Sequence, residues 1–186
     1  LDLPTCLSTT HQRPPYLSII VMPDVLLSMS LQPIAALDEM ARERSADTPF
    51  LTRNIAALLY AIIDEMVERN MLRALDIRDQ TDALAGAFLE GPDDPNLTDI
   101  LSLKRQISRL SALCEDLLHC VSSIQTTESA GFAIEGHRDY FRDLISHLEK
   151  ALQILDRQEA RLKDLRQHYD LTLHGRTEKR LRMLTI

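Results

Sequence analysis

The last fifty residues, 137–186, carry a hydrophobic pattern that predicts one uninterrupted helix. No proline follows Pro95. The only glycine in this stretch is Gly175, and an interior glycine costs a helix about 1 kcal/mol without ending it. At a rise of about 1.5 Å per residue, such a helix is roughly 75 Å long. We call this segment the stalk helix.

Apolar residues recur along the stalk helix in alternating steps of four and three, which is the spacing of a heptad seam. The seam positions are Leu144, Leu148, Ala151, Leu155, Gln158, Leu162, Leu165, Tyr169, Thr172 and Arg176. Three of these positions are polar: Gln158, Thr172 and Arg176. They would fix the register of a dimeric coiled coil, or they would line the axis of a wider bundle. The sequence leaves both interpretations open.

Two further helices precede the stalk. Thr48 and Pro49 are a typical N-cap and first helical residue, and helical periodicity continues from there to about Leu89. After the loop 90–95, a second helix extends to about Gln125, with apolar residues every three or four positions. A short turn between two long helices predicts an antiparallel helical hairpin.

The beginning of the chain has a different pattern. Short apolar runs at 17–22 and 25–30 surround Pro23, and we interpret them as two strands. Pro33 then suits the first position of a short helix that ends at about Arg44.

These elements predict an α+β fold that is predominantly α-helical. Residues 1–48 form part of an α/β domain, residues 49–126 form the helical hairpin, and residues 137–186 form the stalk helix. The stalk ends on apolar residues, with no capping glycine or following proline. We therefore expect an apolar segment to continue it beyond Ile186.

Charge is distributed unevenly along the chain. The net charge is −7, which disfavours nucleic-acid binding. The last eleven residues nevertheless carry +3, because Glu178 is outnumbered by a basic cluster. That cluster consists of Arg176, Lys179, Arg180 and Arg182. Cations beside a membrane segment mark its cytoplasmic side, and cations near any helix C-terminus also favour the macrodipole. Charge alone does not choose between the two.

Other features of the composition place the chain in a reducing, cytosolic setting. Three cysteines without a C-x-x-C pair do not form a disulfide framework. The sequence has no secretory signal, and its longest uncharged apolar run, Ile55–Ile63, is too short to cross a bilayer.

One strip of the stalk helix carries candidate metal ligands. Asp139, Asp143 and His147 are spaced at i, i+4 and i+8, so they project from the same side of the helix. Carboxylates suit Mg²⁺, and a neighbouring histidine would admit Zn²⁺. The alternative is a solvated charged face on which Arg138 and Arg142 pair with the acids.

Two other groups of residues could also bind metal ions. The hairpin turn carries Glu90, Asp93 and Asp94, an acidic tip that could attract cations or serve only as an acidic loop. Cys114 and Cys120 do not share a helical face with His119, so we interpret the cysteines as core residues. The sequence contains no phosphate loop, nucleophile elbow or H-E-x-x-H motif, and we expect no enzymatic activity.

Three motifs resemble those of the CorA family of divalent-cation channels. Residues 56–67, AALLYAIIDEMV, resemble that family's LLY-xx-hD-xx-V helix. Residues 103–110, LKRQISRL, resemble its return helix. Tyr140-Phe141-Arg142-Asp143, together with His147, Tyr169 and the final Leu-Thr-Ile, resembles its stalk helix at the same spacing.

The resemblance implies a homopentamer in the cell membrane, with this chain as its cytoplasmic part. Asp143 would contribute to an intersubunit Mg²⁺ site that holds the closed state, with Co²⁺ and Zn²⁺ as other candidate ions. Leu184 would match an apolar gate at the membrane entrance, and Leu181 would occupy a family methionine position. The basic cluster and the acidic tip also have counterparts in the family.

Several positions depart from the family pattern. A second stalk aspartate is Ser146 here, and an asparagine before the gate is Glu178. The other half of the metal site cannot be located, and Asp38 and Glu39 are only candidates for it. These differences leave open the zinc-transporting ZntB branch, which the stalk histidines favour: His137, His147, His168 and His174. A soluble coiled-coil interaction protein remains the alternative of another class.

Overall fold

The computed structural model describes residues 2–4, 16–34, 37–38, 55–90, 97–126 and 135–184. Its strands are β1 (Asp2–Pro4), β2 (Tyr16–Val21) and β3 (Leu26–Ser30), and its helices are α1 (Ile55–Glu90), α2 (Leu97–Thr126) and α3 (Arg138–Leu184). A single 3-10 turn, Glu135–His137, leads into α3. The prediction of a predominantly α-helical α+β fold is confirmed.

The three helices form a bundle in which α1 and α3 run parallel. The Tyr60 ring contacts the Tyr140 ring near the start of both helices. The Phe88 ring contacts the His168 ring near the end of α1. Helix α2 runs the opposite way, since Lys104, near its beginning, approaches Glu159 of α3 at 3.9 Å. The predicted antiparallel hairpin is therefore α1 and α2, and α3 packs against both of its helices.

The heptad seam of α3 is used inside the chain. Leu144, Leu148, Leu155 and Leu162 are each at most 2% exposed and belong to one hydrophobic cluster with residues of α1 and α2. Burying a leucine side chain contributes about 1.5–3 kcal/mol, so this row holds α3 on the hairpin. Over these positions the seam does not serve as a coiled-coil dimer interface, because the hairpin already covers it.

Helix α2 shows the same periodic burial. Its buried residues are Ile100, Leu103, Ile107, Leu110, Leu113, Cys114, Leu117, Val121 and Ile124. They recur every three or four positions, which places them on the one side of the helix that faces α1 and α3. Cys114 is fully buried and Cys120 is half-buried, as expected for core residues, whereas His119 is exposed.

The strands form an antiparallel sheet in the order β1-β2-β3, with β1 against α2. Leu17 and Ile19 of β2 point into the bundle core. The opposite face, including Ile20 and its cross-strand partner Leu27, is about half exposed. The two predicted strands are confirmed within a residue or two. Strand β1 was not predicted, because three residues that end in Pro4 carry no strand pattern.

Two predicted helix boundaries cannot be compared with the structure. The start of the first helix at Thr48 and Pro49 lies outside the described residues. Of the short helix predicted after Pro33, the structure describes a helical conformation at Leu37 and Asp38.

Candidate functional site

Asp143 lies in the second turn of α3, where the helix begins to pack on the hairpin. Its side chain is 62% exposed, and its Oδ2 atom is 3.9 Å from Nε2 of His147, one turn further along. A carboxylate and an imidazole at this separation can share a cation or a bridging water. The predicted neighbourhood of Asp143 and His147 is therefore present, and both groups are open to solvent.

Asp139, the third predicted ligand, is directed elsewhere. Its Oδ1 atom accepts a hydrogen bond of 2.9 Å from Nη1 of Arg142, and its side chain is 89% exposed. Across the described segments, no three His, Cys, Asp or Glu side chains converge to hold a metal ion. Within the described residues, one copy of the chain thus offers Asp143 and His147, and a complete metal site would need further ligands.

Tyr60 of α1 packs against two aromatic residues that lie just before Asp143 on α3. Its ring centroid lies 5.4 Å from that of Tyr140 and 6.0 Å from that of Phe141, the latter in an edge-on arrangement. Phe141 is fully buried, so these rings fix the first turn of α3 against α1. The sequence showed both motifs but gave no indication that they meet in space.

The Tyr60 hydroxyl lies among carboxylates. It donates a hydrogen bond to Asp64, one turn along α1. Burial of the phenol and the negative charges of Asp64 and Asp143 raise the pKa of Tyr60 to about 12. The phenol therefore stays protonated near neutral pH and remains a hydrogen-bond donor.

The far end of α3 is more exposed to solvent than the part around Leu148. Leu171 is 65% exposed, Leu181 59% and Met183 76%. The basic cluster, Arg176, Lys179, Arg180 and Arg182, lies in these last turns, as does the end of the helix at Leu184. The structure describes the backbone of those five residues but not their side chains. No helix in the described ranges is long and apolar enough to cross a membrane.

The remaining candidate positions lie partly outside the described residues, and those that are described form no cluster of metal ligands. Glu90 is the last residue of α1, and Asp93 and Asp94 lie outside the described residues. Burial raises the pKa of the Cys114 thiol to about 12, which disfavours the thiolate that a metal would need. Asp38 is exposed, and Glu39 is outside the described residues.

A groove of about 400 Å³ lies between α2 and α3. Its floor includes Ile100 and Leu162, and its rim carries acidic and basic side chains together, among them Glu159, Lys163 and Arg166. Charges of both signs on one rim do not select an anion or a cation, so the groove is a weaker candidate than the surroundings of Asp143.

Comparison with protein families gives one match over almost the whole chain. The model described as "CorA-like Mg2+ transporter protein" matches residues 5–186. A search of curated protein sequences gave no match.

Several solved structures share the fold. The full-length CmaX protein superposes with a TM-score of 0.87 at 16% identity, covering 99% of this chain and 57% of CmaX. The ZntB cytoplasmic domain from Vibrio parahaemolyticus RIMD 2210633 gives 0.74 at 13% identity, covering 96% of this chain and 69% of that domain. The CorA magnesium transporter from Methanocaldococcus jannaschii gives 0.73 at 16% identity, covering 92% of this chain and 59% of the transporter. The chain thus spans less than two thirds of the length of CmaX and of that transporter.

Proposed function

This chain belongs to the CorA family, and from that premise we propose that it is the cytoplasmic regulatory part of a divalent-cation channel, with Mg²⁺ as the principal ion and Co²⁺ also carried. One observation supports this function above the others. A single 47-residue helix carries an exposed Asp143 where it packs on the hairpin and continues past the bundle to an exposed apolar and basic end. Such a helix would connect a cation site at Asp143 with its own last turns at Leu184.

The proposed mechanism depends on different cation affinities of two states. A cation shared by Asp143 and a carboxylate of a neighbouring subunit in a homopentamer would stabilise the closed arrangement, because it would bind that arrangement more tightly. When the ion leaves, like-charged carboxylates repel each other and the ring loosens. The stalk helix transmits this change to an apolar gate at Leu184, with Leu181 one turn before it.

The membrane would lie at the end of α3. In this proposal the basic cluster faces the cytoplasmic surface of the cell membrane, as the positive-inside rule requires, and the acidic tip at Glu90, Asp93 and Asp94 attracts divalent cations.

A second candidate is regulation by Zn²⁺, with the chain acting as the cytoplasmic domain of a zinc transporter. The observation that favours it is the 3.9 Å approach of His147 Nε2 to Asp143, since imidazole with carboxylate suits Zn²⁺ better than Mg²⁺. His147→Gln would separate the two candidates: it should weaken protection by Zn²⁺ and leave protection by Mg²⁺ nearly unchanged.

The direct test is thermal unfolding of the full-length protein during titration with Mg²⁺. We expect Mg²⁺ to raise the Tm of the wild type and Asp143→Ala to weaken that protection. Asp116→Ala is the matched control, because Asp116 is also exposed but lies on α2. Equal protection of wild type and Asp143→Ala would refute the assignment of Asp143.

A further inference from the structure

The motif around Tyr60 meets the motif around Asp143 in space, although the two are about eighty residues apart in the sequence. Tyr140 and Phe141, three and two residues before Asp143, both pack on the Tyr60 ring, with centroid distances of 5.4 and 6.0 Å. The ring contact therefore fixes the first turn of α3, next to the turn that carries Asp143. A substitution at Tyr60 would therefore affect the Asp143 carboxylate through the side chains of Tyr140 and Phe141.

A second carboxylate, that of Asp64, acts on the same tyrosine. Asp64 is half-buried on α1 and accepts the hydrogen bond of the Tyr60 hydroxyl. Both Asp64 and Asp143 are close enough to act on the Tyr60 phenol, and both raise its pKa. Asp64 of α1 and Asp143 of α3 therefore both act on one phenol, that of Tyr60.

We propose that Tyr60 and Asp64 are positioning residues that set the cation affinity of Asp143. This inference rests on the proposed function, because it concerns the same cation site. Asp64 increases the negative potential at Asp143 and so favours a bound cation. The Tyr60 hydroxyl partly offsets the Asp64 charge by donating to it, and so weakens that effect. Occupancy of Asp143 is thereby coupled to the packing of α1 on α3.

Two conservative substitutions should move cation affinity in opposite directions. Asp64→Asn removes the second negative charge and should raise the Mg²⁺ concentration at half-maximal protection by about fivefold, the order expected for one nearby charge in a solvated setting. Tyr60→Phe keeps the ring contacts but removes the hydroxyl, leaving the Asp64 charge without its donor. It should lower that concentration by a few-fold, which is less than the full effect of a hydrogen bond to a charged group, because the hydroxyl acts on Asp143 only through Asp64.

The experiment measures two quantities for each variant of the full-length protein. One is the Tm without divalent cations, and the other is the Mg²⁺ concentration at half-maximal thermal protection. The matched controls are Tyr169→Phe, at a half-buried tyrosine far along α3, and Asp116→Asn, at an exposed aspartate on α2. Neither control should move the Mg²⁺ concentration, whatever it does to the Tm.

The outcomes separate this inference from the proposal on which it rests. If Asp143→Ala abolishes protection while Tyr60→Phe and Asp64→Asn change only the Tm, the two residues are merely structural and the inference is wrong. If Asp143→Ala has no effect on protection, the proposed function itself is wrong. If Tyr60→Phe does not fold, Asp64→Asn decides alone, and an unchanged Mg²⁺ concentration for that variant overturns the inference.

Discussion

The two ends of helix α3 follow the same heptad spacing but have opposite surroundings. From Leu144 to Leu162 the seam is buried against the hairpin. Its later positions Leu165, Tyr169 and Thr172 are only half-buried, and the off-seam residues Leu171 and Leu181 are more than half exposed. Near the end of α1, the Phe88 ring packs edge-on against the rings of His168 and Tyr169. Packing on the hairpin therefore holds the first part of α3 in place. The last part depends on helix propensity and on contacts with other molecules.

The sharpest test of this difference is truncation of one leucine in each part. Leu148→Ala removes a fully buried side chain and should lower the free energy of unfolding by about 2–5 kcal/mol. Leu171→Ala, the same change at a 65% exposed position, should alter it by less than about 0.5 kcal/mol. Urea denaturation followed by circular dichroism measures both. Equal losses would contradict the division of α3 into two parts.

Gln158 interrupts the buried part of the seam. Its substitution should have the next largest effect on the free energy of unfolding. Its side chain is 6% exposed, and its Oε1 atom finds no hydrogen-bond partner within the part of the chain that the structure describes. Leaving a buried acceptor unpaired is costly, so Gln158→Leu should raise the free energy of unfolding by about 1 kcal/mol. Gln153→Leu, at an exposed position of α3, is the control and should be nearly neutral. A loss of stability in Gln158→Leu would show that its amide has a structural role.

Substitution of two helical glycines, one in the packed region and one in the exposed region, tests the same difference with smaller effects on stability. A Cβ atom at Gly86 of α1 or Gly175 of α3 would meet no other atom within 4 Å, so Ala fits at both. Each substitution should stabilise its helix by about 0.5–1 kcal/mol. Gly86→Ala should raise the free energy of global unfolding. Gly175→Ala should slow hydrogen exchange only in the last turns of α3. An equal global gain from both would mean that the end of α3 unfolds together with the bundle.

The smallest effect is expected from the ion pair between Arg161 of α3 and Asp82 of α1. Both side chains are nearly half exposed, and Nη1 of the arginine donates to Oδ1 of the aspartate. Exposed pairs contribute about 0.2–1 kcal/mol and weaken with salt. A double-mutant cycle with Asp82→Asn and Arg161→Gln at low and high NaCl measures the coupling. A coupling energy above that range, or one insensitive to salt, would show that the pair is shielded from solvent.

The sequence predicted the helices well because their apolar residues recur every three or four positions over thirty or more residues. It could not predict which surface the α3 seam covers, because a heptad pattern reports one buried face and not the identity of the partner. Leu148 would have looked the same in a coiled-coil dimer. Only the folded chain shows that α1 and α2 cover it.

The candidate site was predicted in part. Helical spacing was enough to bring His147 towards Asp143, since both are on one helix. The same spacing also grouped Asp139 with them, but a salt bridge to Arg142 directs that carboxylate elsewhere. The approach of Tyr60 to Asp143 depends on the parallel packing of α1 and α3, which periodicity does not specify. The roles of Leu184 and of the basic cluster stay predictions.

The central claim is that cation occupancy at Asp143 controls a pore beyond the end of α3. Flux of Mg²⁺ or Co²⁺ through the full-length protein in liposomes, with increasing Mg²⁺ on the cytoplasmic side, tests it most directly. The account predicts that cytoplasmic Mg²⁺ closes the wild type and that Asp143→Ala still conducts but is closed much less. Identical inhibition curves for the two proteins, or no divalent-cation flux through the wild type, would contradict it.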